Sequence, residues 1–192
     1  MRKYLDPEEM KLAFAFLFSM PGAPFLYYGD EIGMRQLDIP SVEGGYERTG
    51  ARTPMQWDAA AKNSGFSPAP AEWLYTPLDP AADAPTVESQ QDDPDSLLNE
   101  VRKLIAVRRA NPALGVDGSI SFVWCEKGGE PLLYLREAEG QRVLVALNPS
   151  AKPASCPCAF TARQVLYAHG QAAALADGVL QMAGESATFI EV

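Results

Sequence analysis

The chain has 192 residues, enough for one ordinary domain or two small ones, and its 47% apolar content supports a buried core. A formal net charge of -9, with acidic and basic residues interspersed, excludes the clustered basic face that a nucleic-acid partner needs and favours an uncharged or cationic ligand. Three cysteines, Cys125, Cys156 and Cys158, form an odd set without a second pair or a nearby histidine to complete a zinc site, so they read as reduced thiols and no metal or other cofactor is expected.

Residues 1–9 are charged, and the apolar stretch at 12–20 lacks a small-residue cleavage pattern and is too short to cross a bilayer. No secretory leader and no membrane partner are expected, which makes the cytoplasm the default compartment. Asp6-Pro7-Glu8-Glu9 reads as a helix start: Asp6 can accept free backbone amides, Pro7 suits the first helical position, and the glutamates favour the positive helix end. The helix is expected to run to about Met20, with Leu12, Phe14, Phe16, Leu17 and Phe18 crowding more than one side, the mark of burial between neighbours. Pro21-Gly22 ends it. Residues 24–28 are a short apolar and aromatic run bounded by Gly22 and Gly29, which predicts a fully buried strand of a parallel sheet. From Gly29 to about Pro94 the chain is rich in Pro, Gly, Asp and Ala without a sustained period; such a connection inside a compact domain is a lid, a binding loop or disordered.

Asp95 or Ser96 can cap a second helix, in which Leu97, Leu98, Val101, Leu104, Ile105 and Arg108 follow three- and four-residue spacing until Asn111-Pro112 stops it. Beyond Gly115 the texture changes to β-prone runs at 120–125, 132–136, 142–147, 163–167 and 187–192, several of them separated by turn signals at Gly128-Gly129, Gly140 and Asn148-Pro149. This predicts a small antiparallel sheet domain of roughly 80 residues. The fold class is therefore α/β plus all-β, with residues 1–114, including a long loop at about 29–94, as one domain and residues 115–192 as the other.

The run Tyr27-Tyr28-Gly29-Asp30-Glu31-Ile32-Gly33-Met34, followed by Ala51-Arg52-Thr53-Pro54-Met55-Gln56-Trp57-Asp58, resembles the α-glucosidase branch of the α-amylase superfamily, glycoside hydrolase family 13. That branch includes oligo-1,6-glucosidases, sucrose-active enzymes and trehalose synthases. The resemblance is strong over 12–58 and 97–114 and rests on texture after that. It implies the terminal βα segment of a (β/α)8 TIM barrel, a loop-rich insertion, the last barrel helix and a small antiparallel β-sandwich called domain C. In the family these motifs follow the three catalytic carboxylates, so the chain corresponds to the rear third of an enzyme.

Glycoside hydrolysis normally needs two carboxyl groups flanking the scissile bond, about 5 Å apart for retention or roughly 6.5 to 9.5 Å for inversion. The family's Gly-x-Arg-x-Asp and Asn-His-Asp settings are both absent from the sequence, so no catalytic residue is assigned. Asp30 and Glu31 are adjacent and, on an extended segment, would project to opposite faces and could not flank one bond. They stand at the C-terminal end of the expected strand, where barrel enzymes place functional groups. The resemblance makes them a structural motif tying the loop to the barrel rim, with substrate or ion contact as the other reading.

The segment 48–54 resembles the family's Arg-Asp-x-x-Arg-Thr-Pro, and the resemblance implies that Arg48 points at the non-reducing glucose and that Arg52 sits near the next subsite. A guanidinium presents a planar fork of donors that suits sugar hydroxyls or a catalytic carboxylate. Thr49 stands where the family often has aspartate, and loop salt bridges are the competing role for both arginines. Met55, Gln56 and Trp57 read as packing that pins the loop, with an aromatic sugar platform at Trp57 as the alternative. Tyr27 and Tyr28, as strand residues, would alternate faces and fill core. His169, between Ala168 and Gly170, reads as a surface turn residue. Phe122, Trp124 and Tyr134 lie at spacings of strand packing.

The sequence thus points to the C-terminal portion of a retaining α-glucosidase or α-glucosyl-transferring enzyme acting on short α-glucosides, inactive alone. Its expected partners are an α-glucoside oligosaccharide in the intact enzyme and the N-terminal barrel portion or a second copy of itself. The alternative is a truncated or split non-catalytic module that binds sugar or complements a separate front half. A lone parallel strand cannot close a barrel, which is the physical ground for expecting association through residues near 12–28.

Overall fold

The computed structural model describes residues 6–41, 48–127 and 129–192; Gly128, half of the expected Gly-Gly turn, lies outside them. Contacts divide the chain into two compact units, one built mainly from Phe25–Val101 and the other from Glu8–Pro24 with Arg102–Val192.

In the second unit, helix α1 spans Pro7–Ser19 with Glu8 and Glu9 in its first turn. It buries Met10, Leu12, Phe14, Ala15 and Phe18, while Phe16 is exposed and Leu17 half-buried. Burial therefore follows one broad stripe instead of surrounding the helix, contrary to the crowding expected of Phe16 and Leu17. Helix α3, Leu97–Ala110, is capped by Ser96, whose Oγ accepts the Asn99 amide at 3.2 Å, deciding between Asp95 and Ser96. Pro112 opens a short 3-10 turn, Pro112–Leu114.

Among the described residues eight strands follow: β1 Ser119–Trp124, β2 Leu132–Ala138, β3 Gln141–Asn148, β4 Ala154–Pro157, β5 Gln164–His169, β6 Ala174–Ala176, β7 Val179–Met182 and β8 Ser186–Glu191. They form a five-stranded sheet in the order β1-β2-β3-β8-β5 and a three-stranded sheet in the order β4-β7-β6, with every described pair antiparallel. Leu133, Leu135, Leu144, Ala146 and Ile190 of the first sheet meet Cys156, Leu180 and Met182 of the second in one apolar cluster. The β2–β3 hairpin closes through Glu139-Gly140, both at positive φ, which matches the strand twist that favours such two-residue loops. A register shift between Phe122 and Trp124 lets Val123 and Trp124 both pack toward the cluster while Phe122 stays exposed, edge-on to Tyr134 at 6.1 Å.

His169 is a strand residue at the end of β5, paired with Ala187, and not in a surface turn. Its side chain is only 10% exposed, with Nε2 3.7 Å from a carboxylate oxygen of Glu8. Gly170, at φ +66, takes the turn that follows.

The first unit corrects the sequence reading at residues 24–28, which form no strand; Phe25 is 91% exposed and Leu26, Tyr27 and Tyr28 are also exposed. A parallel strand needs hydrogen-bonded neighbours on its edges, and none pairs with this run among the described residues. Tyr27 and Tyr28 do not fill a core; their rings lie against each other, centroids 4.7 Å apart. Several local devices order the described parts of the long connection after Gly29. Helix α2, Val87–Gln91, begins with a reciprocal Thr86/Ser89 capping box. Gln90 donates to the Ile32 carbonyl at 2.8 Å and accepts the Leu98 amide at 3.1 Å. Ile32, Met34, Met55 and Leu98 form a small core with Val87 packed on it.

Candidate functional site

Gly29 and Gly33, both in the left-handed region, bracket a 3-10 turn, Asp30–Ile32. The Met34 amide returns to the Gly29 carbonyl at 2.9 Å, and a Cβ on Gly29 would sit 2.5 Å from the Met34 sulfur, so glycine is required there. Asp30 and Glu31 thus lie on a turn and not on an extended segment. Successive residues of a 3-10 turn are about 120° apart, so the two carboxyl groups still diverge. One oxygen of Glu31 is buried without a hydrogen-bond partner among the described residues.

A second 3-10 turn, Thr49–Ala51, carries the two arginines at its ends. The Ala51 amide bonds the Arg48 carbonyl at 3.1 Å and the Arg52 amide bonds the Thr49 carbonyl at 3.0 Å, so a single turn brings Arg48 and Arg52 together. Arg48 is exposed and Arg52 half-buried. Gly50 is pressed against Leu37: its carbonyl accepts the Leu37 amide at 3.0 Å, and a Cβ there would stand 1.8 Å from the Leu37 carbonyl oxygen. Thr49, in the place of the expected aspartate, is buried, with its hydroxyl 3.4 Å from that of Ser41.

Two side chains that the sequence reading did not place in the site hold the exit of this turn. The Tyr28 hydroxyl donates to the Thr53 carbonyl at 3.0 Å, and the Thr76 hydroxyl donates to the Arg52 carbonyl at 3.1 Å. Tyr28 immediately precedes Gly29-Asp30, so its hydroxyl ties the acidic turn to the arginine turn. Burial, with Tyr27 beside it, raises the Tyr28 phenol above its ordinary value, and the Arg52 charge opposes that rise. Downstream, Met55 and Gln56 are buried, and the Gln56 side chain donates to the Pro85 carbonyl. Trp57 is held by its backbone, to Ser64 and Glu88, while its indole is 50% exposed. Pinning of the loop therefore falls on Met55 and Gln56.

Arg35 forms a two-sided ion pair in this unit: Nε lies 2.8 Å from Asp79, whose carboxylate is nearly enclosed, and a terminal nitrogen lies 3.0 Å from Asp83. The Asp79 hydrogen bond raises the Arg35 guanidinium above its ordinary value. Among the described residues no cluster of three or more His, Cys, Asp or Glu side chains could hold a metal ion, and no helix is long and apolar enough to cross a membrane. A cleft of about 610 Å³ in the second unit is lined by Phe18, Pro24, Ile105, Arg108 and Val116 among others, and by none of the site residues named from sequence.

The arrangement offers two guanidinium forks at the ends of one anchored turn, suited to hydroxyl or carboxylate acceptors. Comparisons with known proteins show what the chain is similar to. The chain is 38% identical to trehalose synthase of Thermus thermophilus over 151 residues, 76% of this chain and 15% of that protein. It is 30% identical to a probable alpha-glucosidase of Rhizobium meliloti over 190 residues, 93% of this chain and 33% of that protein. The chain thus spans a third or less of the length of these curated relatives. Among solved structures, the trehalulose synthase MutB superposes with a TM-score of 0.78 at 23% identity, covering 97% of this chain and 38% of that one, a likeness of fold. The alpha amylase catalytic-domain family matches residues 2–117, and with that match the chain belongs to the α-amylase family, glycoside hydrolase family 13.

Proposed function

We infer that the chain is the C-terminal portion of a retaining enzyme that hydrolyses or transfers an α-linked glucosyl unit from short oligosaccharides, and that it contributes Arg48 and Arg52 to the sugar subsites. The observation that carries this reading is the anchored 3-10 turn that presents both arginines from one short segment. Residues 1–114 belong to the (β/α)8 barrel, where the run at 24–28, unpaired in this chain, takes its strand pairing from the front segment, and residues 115–192 supply domain C. The nucleophile and acid come from polypeptide outside this chain, because Asp30 and Glu31 diverge and cannot flank one glycosidic bond. The cytoplasm is the proposed compartment, and the N-terminal barrel portion is the proposed protein partner.

The test is turnover of a chromogenic α-glucoside. The 192-residue chain alone is expected to be inactive, and activity is expected when a front segment bearing the family's carboxylates is joined to it or co-expressed with it. Arg48→Ala and Arg52→Ala in that assembly are expected to lower kcat/KM by at least an order of magnitude, since each removes charged hydrogen bonds to the substrate. Turnover by the isolated chain at rates ordinary for enzymes would overturn the reading.

A second reading, a module that binds sugar or a front half without catalysis, is favoured by the unpaired, exposed run at residues 25–28. A complemented assembly that binds glucoside and never turns it over would select that reading.

A further inference from the structure

We propose that Tyr28 is a positioning residue for Arg52: its hydroxyl, bonded to the carbonyl of Thr53, fixes the backbone from which the Arg52 guanidinium reaches the sugar. This rests on the reading of Arg52 as a sugar contact. Arg52 is where the 3-10 turn ends, at φ -122 and ψ 33, so no continuing helix holds it in place. Two side-chain clamps act at this exit on consecutive carbonyls, Thr76 on Arg52 itself at 3.1 Å and Tyr28 on Thr53 at 3.0 Å. On the entry side the turn is wedged against Leu37 through Gly50, which admits no side chain. The turn is therefore fixed at entry by packing and at exit by two hydroxyls.

The Tyr28 phenol also lies within electrostatic reach of the Arg52 charge. Removing only the hydroxyl tests the clamp while keeping the Tyr28 ring against that of Tyr27. Loss of one such bond predicts a roughly two- to tenfold weakening of sugar binding.

The experiment uses the full 192-residue chain, labelled with 13C and 15N, reading the Arg52 Cζ resonance and titrating with methyl α-D-glucopyranoside. In Tyr28→Phe the Arg52 Cζ signal is expected to shift and its movement with alkaline ionisation of the phenol to vanish, while amide signals far from residues 28, 52, 53 and 76 stay in place. Glucoside affinity is expected to fall in step. An Arg52 signal unchanged in Tyr28→Phe overturns the proposal. Arg52→Ala separates the two ideas: unchanged glucoside affinity in that variant defeats Arg52 as a sugar contact, whereas the Cζ response still decides whether Tyr28 positions it. Should Tyr28→Phe fail to fold, the unmodified chain decides: a slowly exchanging Tyr28 hydroxyl proton near Thr53 supports the clamp, and a freely exchanging one overturns it.

Discussion

Cys-Pro-Cys puts two thiols two residues apart, and on a strand that spacing turns both to the same face. Cys156 in β4 and Cys158 just beyond it both enter the apolar cluster between the sheets, with Pro157 exposed between them on an edge strand that can spare its donor. All three cysteines are unpaired; Cys125 alone is exposed. Burial, and then the neighbouring Cys158, pushes the Cys156 thiol up to about 11, so its reactive thiolate is scarce at neutral pH. An alkylating reagent applied to the native chain at about pH 8 is expected to modify Cys125 and spare Cys156 and Cys158, as mass spectrometry of the digested product would show. The same burial has a stability consequence. A thiol whose folded value lies above its ordinary value of 9.0 holds its proton more firmly in the folded state, so its contribution to stability is constant below about pH 9 and declines as pH rises toward about 11. Tyr134, raised from 10.0 to about 12 chiefly by burial, extends the decline to higher pH. Urea midpoints measured across this alkaline range should fall; a flat profile would show that neither group is buried as described.

At the C-terminal end of helix α1 two arginines from other elements take carbonyls that the helix leaves free. Arg108, in the last turn of α3, donates to the carbonyls of Phe18, Met20 and Gly22 at 2.7, 2.8 and 2.6 Å. Arg136, fully buried in β2, donates to the backbone carbonyls of Ser19, Gly115, Gly118 and Ser119, which offset the cost of burying its charge. Burial lowers both guanidinium groups from their ordinary value, and Arg108 adds repulsion at Arg136. Arg108→Met keeps the stem and removes three bonds; it is expected to cost about 1–3 kcal/mol and to speed amide exchange around Met20 and Gly22, measured by denaturation and hydrogen exchange. The periodicity of α3 showed Arg108 on the buried stripe, yet nothing in that pattern showed a carbonyl partner some 90 residues away in sequence, because such contacts are fixed only by packing. The five longer strands were legible for the opposite reason: their alternation and flanking turns are local. β6 and β7 escaped notice although Asp177-Gly178, both at positive φ, is a strong hairpin signal; strands of three and four residues are too short to show a period. The arginine turn was legible as a motif, whereas its clamps, Tyr28 and Thr76, were not, since each acts on a carbonyl that carries no sequence signature.

At the scale of the whole molecule, residues 25–28 show where local reading and tertiary context part company. Apolar, aromatic and bounded by glycines, the run has the composition of a central parallel strand, but a strand of that kind is stabilised by ladders on both edges and side-chain burial on both faces. Among the described residues it has neither, and Phe25 stands 91% exposed. Exposed β-prone backbone of this kind is a template for pairing with another chain. The isolated 192-residue chain is therefore expected to self-associate, and light scattering after size exclusion should give a mass above the 20.8 kDa protomer. Phe25→Asp places a charge at the start of the exposed run, on its most exposed side chain, so it should shift the population toward monomer. A front segment carrying the neighbouring barrel strands should compete for the same backbone and also reduce the self-associated fraction. If the unmodified chain runs as a stable monomer and Phe25→Asp changes nothing, the run does not need a partner, and the argument that a front half completes this fold loses its physical basis.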